Sequence, residues 1–157
     1  MISRRPRVEE REVVTSATLD VEAGLVGDNW FGRGSSRAPD YRAHPDMQLT
    51  IMNSRAIALM ARSRDRWPLA GDQIFADLDL SVANLPAGAR LQIGEAVIEI
   101  TEPPHLGCAK SKARFGADAL AFVNSEQGRA LRLRGVNAKI VAGGIARVGD
   151  RIGKLIG

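Results

Sequence analysis

The sequence predicts a mainly β domain, a closed or nearly closed β-barrel with a few short flanking helices. Three observations carry that expectation. Short runs of alternating apolar and polar residues recur along the chain. Glycine-containing turns separate them. Only two short segments have the apolar spacing of a helix. A two-layer α+β sandwich is the alternative. A parallel α/β sheet fits poorly, because strand-like runs do not alternate regularly with helical ones.

In chain order, Val13, Thr15, Ala17, Leu19 and Val21 fall at period two and suggest a first strand ending before Gly24. From Gly27 to Pro45 there is no periodicity, only a long loop rich in Gly, Arg and Ser. Leu49 and Ile51 alternate with Gln48 and Thr50 as a second strand. Asn53 or Ser54 caps a helix running to about Arg64, with Ile57, Met60 and Ala61 on one face. Asp77 to Val82 is the cleanest alternation in the chain and reads as a strand with one wet face. Leu91–Ile93 and Ala96–Ile100 flank Gly94-Glu95 as a hairpin, and Pro103-Pro104 stops its second strand. Gly116 to about Ser125 reads as a short helix with Ala117, Leu120 and Ala121 on one face. Asn137–Ala142 and Ile145–Val148 flank Gly143-Gly144 as a further hairpin.

No repeat, linker or composition shift divides the 157 residues, so residues 1–157 read as one domain, with about 1–11 a flexible N-terminal tail. The chain is long enough to bury a core, built on aliphatic residues because aromatics make up only 4%. The first residues carry positive charge with no apolar stretch behind it, unlike a secretory signal. No run approaches the ~20 apolar residues of a membrane span, so no membrane partner is expected. The single cysteine excludes an internal disulfide and suits a reducing compartment, so the expected location is cytoplasmic. A net charge of +4 favours anionic partners: an anionic cofactor, a small molecule or nucleic acid. The basic residues are dispersed, which argues against a dedicated nucleic-acid arm.

The chemistry concentrates in Glu102 to Gly116. A strand ends at two prolines, and a loop then presents Cys108, followed closely by Lys110, Lys112 and Arg114. The thiolate is the reactive form of cysteine, and nearby cations favour it. The plain alternative is a small packed apolar residue, but Cys108 follows Pro-Pro and Gly107 rather than sitting in a periodic apolar run. His105 reads either as a site residue or as a turn residue. Near the C-terminus Arg132 and Arg134 form a second cluster able to hold an anion, with Asn137 able to donate and accept, the plain alternative being a solvated helix end leading to a strand. A metal site built only from protein ligands looks poor, since His44 and His105 lie far apart and no Cys-x-x-Cys occurs. There is no Gly-x-Ser-x-Gly, Gly-x-Gly-x-x-Gly or phosphate loop.

Six pieces follow one another from about residue 24 to the C-terminus: Gly27-Asp28-Asn29-Trp30, Gln48 to Met52, Leu91 to Ala96, His105 to Lys110, Arg134 to Ala138, and Gly149 to Ile152. In this order they resemble the MOSC domain family, named for the C-terminal domain of molybdenum cofactor sulfurases. The Cys108 and Arg134-Gly135 pieces are the most specific. The resemblance implies a strand-rich barrel that handles molybdenum cofactor or sulfur. It maps the family's cysteine onto Cys108, as a persulfide carrier or a thiolate ligand of molybdenum. His105, Lys110, Lys112, Arg114, Arg134, Asn137, Asp28 and Asn29 would then hold the anionic cofactor, with Trp30, Phe31, Arg33 and Arg37 on the rim. The sulfurases' pyridoxal-phosphate domain has no room in this chain, and the extra N-terminal β region of the amidoxime-reducing relatives is missing. A separate protein would therefore supply sulfur or electrons, which leaves open whether the chain is an enzyme on its own. Two other readings are a non-catalytic module of the same fold that binds an anionic ligand, and a basic nucleic-acid-binding barrel using Trp30, Phe31 and Tyr41 with Arg33, Arg37 and Arg42.

Overall fold

The computed structural model describes residues 1–156. The elements are β1 (Ile2–Arg4), β2 (Glu12–Val14), β3 (Ser16–Asp20), β4 (Gly24–Leu25), α1 (Trp30–Arg33), β5 (Leu49–Asn53), α2 (Ser54–Ala61), β6 (Ile74–Ala76), β7 (Arg90–Ile93), β8 (Ala96–Ile100), α3 (Ala109–Phe115), α4 (Ala117–Asn124), α5 (Glu126–Ala130), β9 (Val136–Ala142), β10 (Gly144–Arg147) and β11 (Ile152–Leu155). Single 3-10 segments cover Pro45–Met47 and Arg64–Ala70.

Eight strands form one sheet in the order β11-β7-β8-β9-β5-β6-β1-β2, and three form a second in the order β10-β3-β4. Among the described residues only β5 and β6 pair in parallel, as their connection through α2 requires. The fold is mainly β, but the barrel is open rather than closed. The large sheet curls into a half-barrel whose edges, β11 and β2, do not meet. The small sheet instead packs across it, β10 against β8 and β3 against β9.

The main core fills the space between the sheets. Leu19, Leu25, Leu49, Ile51, Leu91, Ile98 and Ala138 are buried there. A smaller core lies under α2, whose Ile57, Met60 and Ala61 pack on Met52 and Phe75 with Val123 of α4. Helix α2 begins where expected: Asn53 Oδ1 accepts from the Arg55 and Ala56 amides. Truncating Ile57 to alanine would cost about 2–5 kcal/mol.

Four sequence expectations are corrected. The first strand is two, β2 and β3, in different sheets. Ala17 and Leu19 are buried while Val13 and Val21 face solvent. Residues Asp77 to Val82 are not a strand. Asp79 Oδ1 accepts from the Ser81 amide in a local turn, Leu80 is buried in the core and Leu78 packs against it half-buried. Gly143-Gly144 does not close a hairpin, because β10 pairs with β3 rather than β9. A Cβ on Gly144 would lie 2.6 Å from the Glu95 carbonyl carbon, so the glycine lets the chain cross between sheets against the β7–β8 turn. The N-terminal segment is not a tail. Ile2 is buried, β1 joins β2 and β6, and the terminal ammonium donates to the Phe75 carbonyl over 2.9 Å.

Candidate functional site

After β8 the chain cannot continue as strand, because Pro103 and Pro104 have no amide to donate. The resulting loop is tied down at three points. The Thr101 hydroxyl donates to the Asp46 carbonyl over 2.6 Å, and the Asn137 amide group donates from β9 to the Pro103 carbonyl over 2.8 Å. Asn124 of α4 clamps Gly107 from both sides, accepting its N–H at 3.0 Å and donating to its carbonyl at 3.1 Å. The next residue is Cys108, in extended conformation just before α3 and exposed.

Burial raises the pKa of the Cys108 thiol. The backbone N–H groups of Ser111 and Lys110 and the charges of Arg134 and Arg114 outweigh that effect and bring it below its ordinary value. The thiolate is correspondingly more populated at neutral pH.

Beside the thiol lies a buried ionic triad. Asp72 is fully buried, with Arg134 Nη1 at 2.6 Å from one carboxylate oxygen and His105 Nε2 at 2.8 Å from the other. Arg134 Nη2 also donates to the Ala70 carbonyl at 2.8 Å. Burial raises the pKa of Asp72, but the charges of Arg134 and His105 and their hydrogen bonds lower it to about 2 overall. His105 moves down, first through burial and then through Arg134, which together overcome the pull of Asp72. At neutral pH the triad is therefore an ionised Asp72, a charged Arg134 and a neutral His105. A neutral imidazole beside a carboxylate donates from Nε2, which leaves Nδ1 as an acceptor. Gly135 makes the arrangement fit. Its φ is +113°, and a Cβ there would strike the Ile51 carbonyl oxygen and crowd His105.

These groups open onto a cavity of about 220 Å³ lined by Cys108, His105 and Asn137 together with Arg5, Arg11, Arg33, Lys110, Arg114 and Arg134. Among the described residues no carboxylate lines it. The guanidinium pKa values of Arg11 and Arg33 are lowered by burial and by neighbouring cations, the signature of crowded positive charge. Arg134 Nε and Asn137 Oδ1 are buried without a hydrogen-bond partner. A second cavity, of about 400 Å³, shares His105, Arg134 and Asn137 and is otherwise walled by groups such as Pro103, Leu106 and Val123.

Of the candidates from the sequence, Cys108, His105, Lys110, Arg114, Arg134 and Asn137 converge on the cavity. Lys112 is exposed and outside its lining. Asp28 and Asn29 also lie outside it. The Asp28 side chain is fully buried and holds Arg5, accepting from its Nε and Nη2 at 3.1 Å each, so it positions a lining cation. The Asn29 amide bonds to the Arg5 carbonyl at 2.8 Å. Of the expected rim, Trp30 and Arg33 line the cavity, Arg37 donates to the Pro104 carbonyl, and Phe31 projects into solvent. Trp30 is buried and cannot serve as a stacking platform for bases. Sequence reasoning missed Arg5, Arg11 and Asp72. No local pattern marks them: Arg5 and Arg11 reach the cavity through the docking of β1 beside β6, and Asp72 reaches Arg134 through the pairing of β6 with β5, itself beside β9.

No protein-family model matches the sequence, and no curated protein matches it. Solved structures do. The chain is similar in fold to YiiM and YuaD. YiiM from Escherichia coli aligns with a TM-score of 0.62 and 20% identity, over 99% of this chain and 68% of that one. YuaD from Bacillus subtilis aligns with a TM-score of 0.67 and 20% identity, over 96% and 91%. A hypothetical protein aligns with a TM-score of 0.65 and 20% identity, and the chain spans 66% of its length. At such identity the likeness carries the fold and not the chemistry. Among the described residues no helix is long and apolar enough to cross a membrane.

Proposed function

We propose that the chain is a MOSC-type domain that handles sulfur or molybdenum cofactor, with Cys108 as the persulfide carrier or the molybdenum ligand. One observation carries the reading: the single cysteine opens onto a cavity lined, among the described residues, by six basic side chains and no carboxylate. The sequence resemblance and the fold shared with YiiM and YuaD support it.

The residues fit such a ligand. Cys108 supplies one soft thiolate, which suits molybdenum. Arg5, Arg11, Arg33, Lys110 and Arg114 suit phosphate and oxo groups. Arg134 Nε and Asn137 Oδ1 are a donor and an acceptor without protein partners. When bound, molybdenum cofactor would supply the redox and oxo chemistry. The chain's own residues hold the anion, favour ionisation of Cys108, and offer His105 Nδ1 as an acceptor at the cavity wall. As a sulfur carrier, the Cys108 thiolate attacks the outer sulfur of a donor persulfide, forming Cys108–S–SH and releasing the donor as its thiolate. The donor of sulfur or electrons is a separate protein in this reading.

Intact mass and metal analysis test it. The purified chain is incubated with a small-molecule persulfide, with and without later reductant. It should gain one sulfur atom that the reductant removes, or retain molybdenum from a loaded extract, and Cys108→Ala should do neither. If neither sulfur nor molybdenum distinguishes the parent from the variant, the function fails.

A further inference from the structure

The segment joining β1 to β2 does more than place Arg5 and Arg11 in the cavity wall. Glu9 reaches across to α3, with one carboxylate oxygen 2.9 Å from Arg114 Nη2 and the other 3.7 Å from Lys110 Nζ. Those cations stand four residues apart on one helical face, so a single carboxylate spans both. Both also line the cavity beside Cys108. Glu10 turns away instead and pairs with Arg7 at 3.3 Å. Arg114 does not depend on Glu9 for its position, because its Nη1 donates to the Leu69 carbonyl at 3.0 Å. Glu9 also has a φ of +64°, a region that residues other than glycine enter at a cost. A strained backbone thus presents an acidic group to two cations that the site needs for something else.

Resting on the reading of the cavity as an anion site, we propose that Glu9 is an internal placeholder. It occupies a subsite, Lys110 with Arg114, that receives an oxyanion group of the ligand, and it leaves when that ligand binds. Exposed ion pairs are worth little, so displacement is cheap. A ligand group carrying one negative charge only exchanges with Glu9, whereas one carrying two gains attraction. The placeholder therefore sets a threshold of ligand charge.

Two alkylating agents of nearly equal size read this out. Iodoacetate carries a carboxylate and iodoacetamide is neutral, and the Cys108 thiolate displaces iodide from either. The ratio of their rates cancels changes in thiol ionisation. At low ionic strength Glu9→Gln should raise the iodoacetate to iodoacetamide ratio about threefold, from removal of the carboxylate that pairs with the lining cations Lys110 and Arg114. Glu10→Gln changes net charge equally but removes a carboxylate paired with Arg7 rather than with the lining cations, and should raise the ratio less. A rise in Glu9→Gln no greater than in Glu10→Gln overturns the placeholder. If parent and Glu9→Gln both show only the ratio of free cysteine, the anion-site reading itself is lost. If the parent ratio exceeds that of free cysteine and Glu9→Gln leaves it unchanged, the site stands and the role of Glu9 falls.

Discussion

Replacing Arg134 by methionine should reverse the sign of the protein's pH dependence of stability near neutrality. The side chain is buried and pairs with Asp72 at 2.6 Å. Removing one partner of a buried ion pair costs about 3–5 kcal/mol, because the remaining charge is stranded. In the parent protein His105 has a lowered pKa, through burial and then Arg134. Folding therefore expels a proton from it. Stability from this group is complete above the unfolded value of about 6.5 and declines as pH falls toward the folded value. Asp72 acts in the same direction at lower pH. Its folded value is about 2, so its contribution is present above the unfolded value near 3.8 and is lost as pH falls through about 2. Without Arg134, the cation available to Asp72 is a protonated His105 at 2.8 Å. The folded-state pKa of His105 then rises above its unfolded value, and its contribution is complete below pH ~6.5 and lost as pH rises. Each unit of that upward shift is worth about 1.4 kcal/mol. Urea midpoints of parent and variant at pH 5.5 and 8 measure both slopes. The parent should gain stability toward pH 8 and Arg134→Met should gain it toward pH 5.5. A variant slope of the same sign as the parent's would refute the assignment of charges within the triad.

Two further outcomes follow from the loop around Cys108. Its alkylation rate against pH should reach half-maximum below the ordinary thiol value of ~8.5, and Arg114→Gln should move the midpoint upward, since that charge is among the causes of the shift. Asn124→Ala removes both hydrogen bonds to Gly107 and should cost about 1–3 kcal/mol in a denaturation series, with faster hydrogen exchange across residues 105–108.

Much of the Cys108 region was legible in the sequence because its determinants are local. Two prolines stop a strand, a glycine follows, and cations lie within one helical turn or two. Helix α2 was legible for the same reason, through its Asn53 cap and the spacing of Ile57, Met60 and Ala61. Asp72 was not. Gly71-Asp72 has the composition of a turn, and only the parallel pairing of β6 with β5, itself beside β9, brings it to Arg134. Arg5 and Arg11 were hidden because β1 is three residues long and too short to show a period, yet it docks on β6. The expected hairpin at Gly143-Gly144 failed because two glycines serve a close crossing between sheets as well as they serve a turn.

The placing of the acidic groups explains how so much positive charge is tolerated beside one thiol. The side chains of Asp28 and Asp72 are completely buried and hold Arg5 and Arg134 from outside the cavity lining. Each ion pair offsets the cost of burial while the cavity itself keeps its positive potential. Neither carboxylate can swing in to compete with a ligand, because each would have to leave a buried cation unpaired. Glu9 differs on both counts, being exposed and held only by cations at the rim. Substitution of the buried pair should therefore appear mainly as lost stability, and substitution at Glu9 mainly as altered anion preference. That division is a physical consequence of burial: an interior charge is fixed by desolvation, while a surface charge remains free to exchange with solvent or ligand.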